Sequence, residues 1–426
     1  MLRTRYIAVL AFSVSTVVGV RAEAKPINEL SVAAGLDSAY DDNVYNSRGA
    51  DFVNRITPHA SYRLIDTRVK LESSYDFSYW TYALGKANNS LNHRADVSVE
   101  GHPTRRLTLK VADEFSRAED PGFLSRMGVV APQIGIFDNV ADASAGVNIV
   151  RRVFAGVGYT YHWARFDPYS AQQQMAAFPA LYDGAEHDVQ ALTTYAVTRR
   201  DDLRFTGRFQ DFTAGPQATD ANRWNIGASY SPTIGWRHQL LRDLEISADG
   251  GPLFYQSMSG AINIHDGSGR EIAPGSGTTW RAGALLRWNT PSWRASAGYV
   301  HDLIGATGAG TALWADAVYA QAGYHYLEKF DAHLGVGYFR NGAAVNQPWA
   351  YDGVTGDAFV DYRVVDYFRV GAYYTVRWQE VGPGAVGNNT AFNPAQFPSV
   401  TRNIVGVRLL AVLGADARPP RREVHP

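Results

Sequence analysis

Val69-Lys70-Leu71-Glu72-Ser73-Ser74-Tyr75-Asp76-Phe77-Ser78-Tyr79 is the stretch that decides the fold. Its odd positions are apolar or aromatic apart from Ser73, and its even positions, Lys70 to Ser78, are all polar or charged. Successive side chains of a strand point to opposite faces, so this order predicts a long strand with one apolar and one wet face; a helix would scatter it. The alternation returns in Ala95, Val97 and Val99 against Arg94, Asp96, Ser98 and Glu100. It returns again from Val153 to Trp163 and from Phe368 to Trp378. These runs of about 11 to 15 residues exceed the usual strand of a soluble domain and suffice to cross an apolar band at a tilt.

The connections between the runs come in two kinds. Short ones lie around Asp66, His102 to Arg105, Arg151 to Arg152, Arg200 to Asp202, Arg237 to Asp243, Thr290 to Ser292, Leu327 to Lys329, and Val365 to Asp366. Longer ones are centred near Ser47, Lys86, Arg126, Gln173, Gln217, Gly267, Thr307, Val345 and Asn388. Strict alternation of long and short is the plan of an all-β transmembrane antiparallel barrel, here of about 18 strands, with short periplasmic turns and long extracellular loops. Aromatic residues agree: Tyr75, Phe77, Tyr79, Tyr161, Trp163, Tyr374 and Trp378 approach the long loops. Tyr62, Phe205, Trp288, Trp293, Tyr326, Phe330 and Tyr362 flank the short turns, so two girdles are predicted at two lipid-water boundaries.

Composition narrows the class further. The 426 residues include 24 Tyr, 19 Phe, 10 Trp and 40 Gly, with 19% charged, a balance suited to repeated strands and turns. A mean hydropathy of -0.23 argues against a helical membrane bundle. The absence of cysteine excludes a lipoprotein and a disulfide scaffold. A net charge of -1 gives no long-range field for nucleic acid, which is therefore not expected as a partner. Arg3 and Arg5, the apolar run Ile7 to Val20, and the small residues Ala22 and Ala24 read as a signal peptide for the general secretion route. The expected organisation is a cleaved signal over 1–24, a barrel over 25–414 in the lipid bilayer of a Gram-negative outer membrane, and an Arg/Pro-rich periplasmic tail over 415–426.

A barrel of this size encloses an aqueous channel unless something fills it. Only Lys25 to Leu30 precedes the first strand, which leaves an amino-terminal plug no room. The inferred lumen face carries Arg94, Arg204, Arg208, Arg281, Arg287, Arg369 and Arg377 among its cations. Glu72, Asp76, Asp96, Glu100, Asp188, Asp249 and Asp316 stand among its acids. The signs nearly balance, so total counts predict no strong ion selectivity; a mixed lining suits a neutral or weakly charged hydrophilic solute such as a sugar chain, with a passive diffusion porin for small hydrophilic solutes as the alternative. Phe123 and Leu124 in one loop, and Tyr169, Phe178 and Tyr182 in another, are apolar enough to fold inward as a constriction or to form an outer cap.

Chemistry is not expected. His301 and Asp302 are adjacent in a strand and point to opposite faces, so they form no catalytic pair. His265 to Gly269 lacks the carboxylates of a calcium loop. The reading is a non-enzyme without cofactor or metal.

Gly35-Leu36-Asp37-Ser38-Ala39-Tyr40-Asp41-Asp42-Asn43-Val44-Tyr45 resembles the opening of a bacterial family of β-barrel porins that carry an Asp-Asp-Asn signature. Several relatives of this kind are associated with exopolysaccharide export. The resemblance therefore implies an outer-membrane channel that translocates a secreted polysaccharide, working with a periplasmic export partner.

Overall fold

The computed structural model describes residues 26–44, 49–119, 135–167, 183–215, 224–256, 276–306, 311–327, 329–343, 350–381 and 399–414. They form eighteen strands: β1 Ile27–Asp41, β2 Asp51–Ile65, β3 Val69–Tyr82, β4 Ser90–Gly101, β5 Leu107–Ala118, β6 Ile136–Val150, β7 Val153–Phe166, β8 Asp183–Ala196 and β9 Asp201–Gly215. The second half continues with β10 Trp224–Leu241, β11 Leu244–Gln256, β12 Ser276–Asn289, β13 Trp293–Ala306, β14 Thr311–Tyr326, β15 Phe330–Ala343, β16 Ala350–Val365, β17 Phe368–Val381 and β18 Val400–Gly414. Every strand pairs antiparallel with its chain neighbours, and β1 also pairs with β18 from Ser31↔Gly414 to Asp41↔Ile404. The sheet therefore closes into a barrel in which every strand has a partner on both sides.

The apolar side chains are on the outside. Leu36 is 53% exposed, Ile234 60% and Leu334 60%, while alternate residues such as Ala33, Thr233 and Asn341 are buried. This inverts a soluble protein, whose large aliphatic residues fill the interior; an apolar belt around the whole wall is stable against lipid, not water. Exposed Tyr75, Tyr79 and Tyr374 lie toward the long loops, and exposed Phe205, Trp288, Trp293, Tyr326 and Tyr362 lie toward the short turns. At ~4.8 Å between strands and a tilt of ~40°, eighteen strands enclose a cylinder about 35 Å across between backbones.

The short turns are tighter than the sequence pattern suggests. β10 continues through Arg237 and His238 to Leu241, leaving only Arg242 and Asp243 between strands. The extension works because a register shift between Gln239 and Leu241 keeps the ladder to β11 intact. In the same strand Pro232 has no N–H to give the ladder. β11 meets that carbonyl with Gly251, where a Cβ would come within 2.0 Å of the Pro232 oxygen.

The seam where the two ends of the chain meet is clasped by the Asp-Asp-Asn segment. Asp41, wholly buried, accepts hydrogen bonds from Arg402 Nε at 3.0 Å and Arg402 Nη2 at 2.6 Å. Asp42 accepts from the Asn403 backbone N–H at 2.7 Å and from Asn403 Nδ2 at 2.6 Å. Asn43 Nδ2 donates to the Thr401 carbonyl at 2.9 Å. Three consecutive side chains of β1 and its end thus grip three consecutive residues of β18.

Candidate functional site

The interior is a charged wall built by alternation. Arg94 faces inward from β4 and reaches Asp96 and Glu114, with Nη2 to Glu114 at 3.1 Å. Glu72 takes Lys70 at 2.7 Å and Arg63 at 3.4 Å. Asp76 bonds His59 at 2.7 Å, and Glu100 bonds His102 at 3.1 Å. Arg369 Nη1 meets Asp331 at 3.0 Å. Arg377 stands in β17 opposite Arg402 of β18. Arg204, Arg208, Arg281 and Arg287 occupy the same inward face on β9 and β12. Of the predicted lining, Arg208, Arg281 and Asp188 are brought into one cluster and the others are distributed around the wall.

That cluster marks a departure from a round barrel. Arg208 Nη1 lies 2.7 Å from Asp302 Oδ2, and Arg281 Nε lies 3.1 Å from the same oxygen. Asp188 holds the other side of Arg208, with Nε at 2.6 Å. Arg208 belongs to β9 and Asp302 to β13, four strands away, about 19 Å along a regular wall. The gap is closed because β13 leaves the wall. Its pairing with β12 stops at Ala282↔His301, although β12 runs on to Ser276 against β11 and β13 runs on to Ala306 against β14. Above His301 the β13–β14 hairpin lies inside the barrel, and β14 comes within 8 Å of β10.

Packing confirms the displacement. By alternation Leu303 is on the outward face, with Tyr299 and His301, yet it is 2% exposed. It packs against the inward-facing Phe212 and Leu253, with Tyr255 and Trp314 beside them. An outward side chain touches inward ones only if its strand has moved inside the wall. Tyr255 and Trp314 meet edge to face at 5.4 Å between centroids. The hairpin is therefore held by an apolar contact above and an ion-pair cluster below. Asp302, Phe212, Leu253 and Leu303 are absent from the sequence-derived lining; two consecutive apolar residues, Leu303 and Ile304, are the local break in alternation that marks the place.

Asp316 is a correction. It stands on the outward face of β14, where His301 Nδ1 is 2.8 Å away and Tyr299 Oη donates at 2.8 Å. Trp280 stacks on His301 at 4.0 Å from the outside of β12. His301 and Asp302 do point to opposite sides of β13. Phe123, Leu124, Tyr169, Phe178 and Tyr182 lie outside the described residues, as does His265 to Gly269.

Charge is segregated along the axis. The long-loop halves of the strands carry inward Asp37, Asp41, Asp51, Asp76, Glu114, Asp138, Asp142, Glu186, Asp188, Asp302 and Asp357. Against them stand Arg55, Arg94, Arg281, Arg377 and Arg402, with Arg208 at the midpoint of β9, about half as many. In the short-turn halves Arg63, Lys70, Lys110, Arg204, Arg237, Arg287, Arg294, Arg363, Arg369 and Arg408 slightly outnumber the acids, and the turns beyond add further arginines. The whole-chain balance of 40 cations and 41 anions conceals this separation. Among the described residues no group of three or more His, Asp or Glu is arranged to hold a metal.

No family model matches the chain, and no curated protein sequence matches it. Solved structures align along most of its length. The siderophore receptor PirA from Pseudomonas aeruginosa aligns over 92% of this chain and 81% of its own, at 7% identity and a TM-score of 0.43. OccK2 (OpdF) of Pseudomonas aeruginosa aligns over 91% of this chain and 98% of its own, at 10% identity and a TM-score of 0.44. OccK2 in complex with glucuronate covers the same shares at 10% identity with a TM-score of 0.43.

Proposed function

We propose that the chain is an outer-membrane channel through which small hydrophilic solutes diffuse, oriented with its short turns in the periplasm. The observation that carries this reading is the inward β13–β14 hairpin. A wall wide enough for an aqueous pore is narrowed on one side by a pinned element lined with charges of both signs. A passive pore of this kind sorts by size and polarity and needs no energy source. Proteoliposome swelling tests it: sugars of one or two units should enter far faster than oligosaccharides, and ion conductance should appear in planar bilayers. Liposomes that neither swell nor conduct would overturn the reading.

Export of a polysaccharide is the second reading, and the resemblance through Gly35 to Tyr45 supports it. Its weight is reduced by what those residues do, because Asp41, Asp42 and Asn43 are spent on closing the seam with Arg402, Asn403 and Thr401. Side chains occupied in closing the seam do not by themselves specify cargo. Gene deletion separates the two readings: loss of surface polymer with normal uptake of small solutes favours export, and the opposite favours diffusion.

A further inference from the structure

Five consecutive short turns present exposed arginines: Arg68; Arg105 and Arg106; Arg151 and Arg152; Arg199 and Arg200; and Arg242. None of the eight side chains makes an ion pair with another described residue. The other three turns, Thr290 to Ser292, Leu327 to Lys329, and Asp366 to Tyr367, carry no arginine. Asp66 and Asp243 share the first and last of the five turns and Lys329 lies in one of the other three, so the net positive charge is concentrated in a crescent centred on the three middle turns.

The crescent is regular because the turns are built alike. The carbonyl of Arg68 accepts from His102 N–H at 2.7 Å, that of Arg106 from Asn148 at 2.9 Å, that of Arg152 from Ala196 at 2.9 Å, and that of Arg200 from Gln239 at 2.8 Å. Each arginine closes its turn onto the next hairpin, so the four occupy equivalent places two strands apart, about 10 Å per step. Two turns are further fixed by threonine. Thr104 Oγ1 accepts from Arg106 and Leu107 N–H, and Thr198 Oγ1 accepts from Arg200 and Asp201 N–H. The hydrogen-bonded backbone under the charges spans about half of the rim, roughly 55 Å along it, from β2 to β11.

We infer that this crescent is a docking surface for the acidic face of a periplasmic protein. The inference rests on the short-turn end facing the periplasm. Lipid headgroups surround the whole ring and would not favour one arc. A solute on the pore axis meets all eight turns equally. A macromolecule seated to one side meets five, and unpaired guanidinium groups on a fixed backbone suit bidentate pairing with carboxylates.

The test uses the full chain in its own cells, with a photoreactive amino acid placed at Thr67, Thr104 or Thr198 on the crescent and at Ser292 or Tyr367 on the bare arc. The expected result is one common adduct from the crescent positions, at least tenfold weaker from the bare arc, whose protein component has a net acidic surface. Combined Arg105→Gln, Arg106→Gln, Arg151→Gln and Arg152→Gln should lower that adduct at least tenfold while single-channel conductance stays measurable. Equal adducts from both arcs, adducts only to lipid, or an adduct insensitive to the four substitutions would overturn the docking surface. Labelling of Thr104→Cys by a membrane-impermeant maleimide on intact cells would instead overturn the orientation, so the two failures are distinguishable.

Discussion

Removing the Asp302 carboxylate should loosen the hairpin that narrows the pore. In Asp302→Ala, Arg208 loses its 2.7 Å partner and Arg281 its 3.1 Å partner. Breaking a buried ion pair from one side costs about 3–5 kcal/mol. Arg208 keeps Asp188, and both guanidinium groups touch lumen water, so roughly 2 kcal/mol falls on the hairpin, a factor of about 30 in its closed-to-open ratio. Leu303 still holds it with about 2 kcal/mol of buried apolar surface. The single variant should therefore conduct mostly at the wild-type level with frequent excursions upward. Asp302→Ala combined with Leu303→Ser should settle at the larger conductance. Because the chain has no cysteine, paired Leu253→Cys and Leu303→Cys give a reversible control: oxidation suppresses the excursions of Asp302→Ala, and reduction restores them. Single-channel recording in planar bilayers reads all three. Folded Asp302→Ala with unaltered conductance and no added excursions would refute the hairpin as the narrowing element.

Arg402→Ala leaves Asp41 buried and unpaired at the seam, and should destabilise the barrel by about 3 kcal/mol, seen as a lower temperature for loss of the compact band on unheated gels. Adding Asp41→Ala should recover part of that loss. Val407→Arg places a cation in the outward belt and should cost about 2–4 kcal/mol in urea unfolding from bilayers, whereas inward Ser144→Arg should fold normally; equal penalties would contradict the assignment of faces. Asp316→Asn, outward on β14, should leave the reversal potential in a salt gradient unchanged, and inward Asp188→Asn should shift it toward anions.

The architecture was legible because alternation repeats in almost every strand and each slip of one residue would turn the apolar set into the lumen. The phase failed where alternation itself is weak. Around Asp316 the sequence reads Ala315, Asp316, Ala317, Val318, Tyr319, Ala320, Gln321, Ala322, and both faces are small or mixed, so the charge was the natural residue to place inside. Pairing settles it, because Asp316 faces Arg340 on β15 and shares its side with exposed Val318. The seam was illegible for another reason: Asp41 and Arg402 are 361 residues apart, and nothing local announces that they touch. The hairpin's inward turn depends on Leu303 meeting Phe212 and Leu253, contacts between strands that only a closed barrel brings together.

The near-equality of cations and anions is therefore a poor guide to what the pore prefers, because most of these charges are already committed. Arg402 is consumed by the seam, Arg208 and Arg281 by the hairpin, Arg94 by Asp96 and Glu114, and Arg408 by Asp361. A paired charge presents little net field to a passing solute, whereas an uncommitted one presents its full field in the narrow, low-dielectric lumen. Lys110, Arg287 and Arg294 make no ion pair with another described residue, and all three lie in the short-turn halves of their strands. Selectivity should follow that remainder rather than the census. Neutralising Arg287 and Arg294 should shift the reversal potential toward cations, whereas neutralising Arg408 together with its partner Asp361 should leave it nearly unchanged, because that pair already cancels.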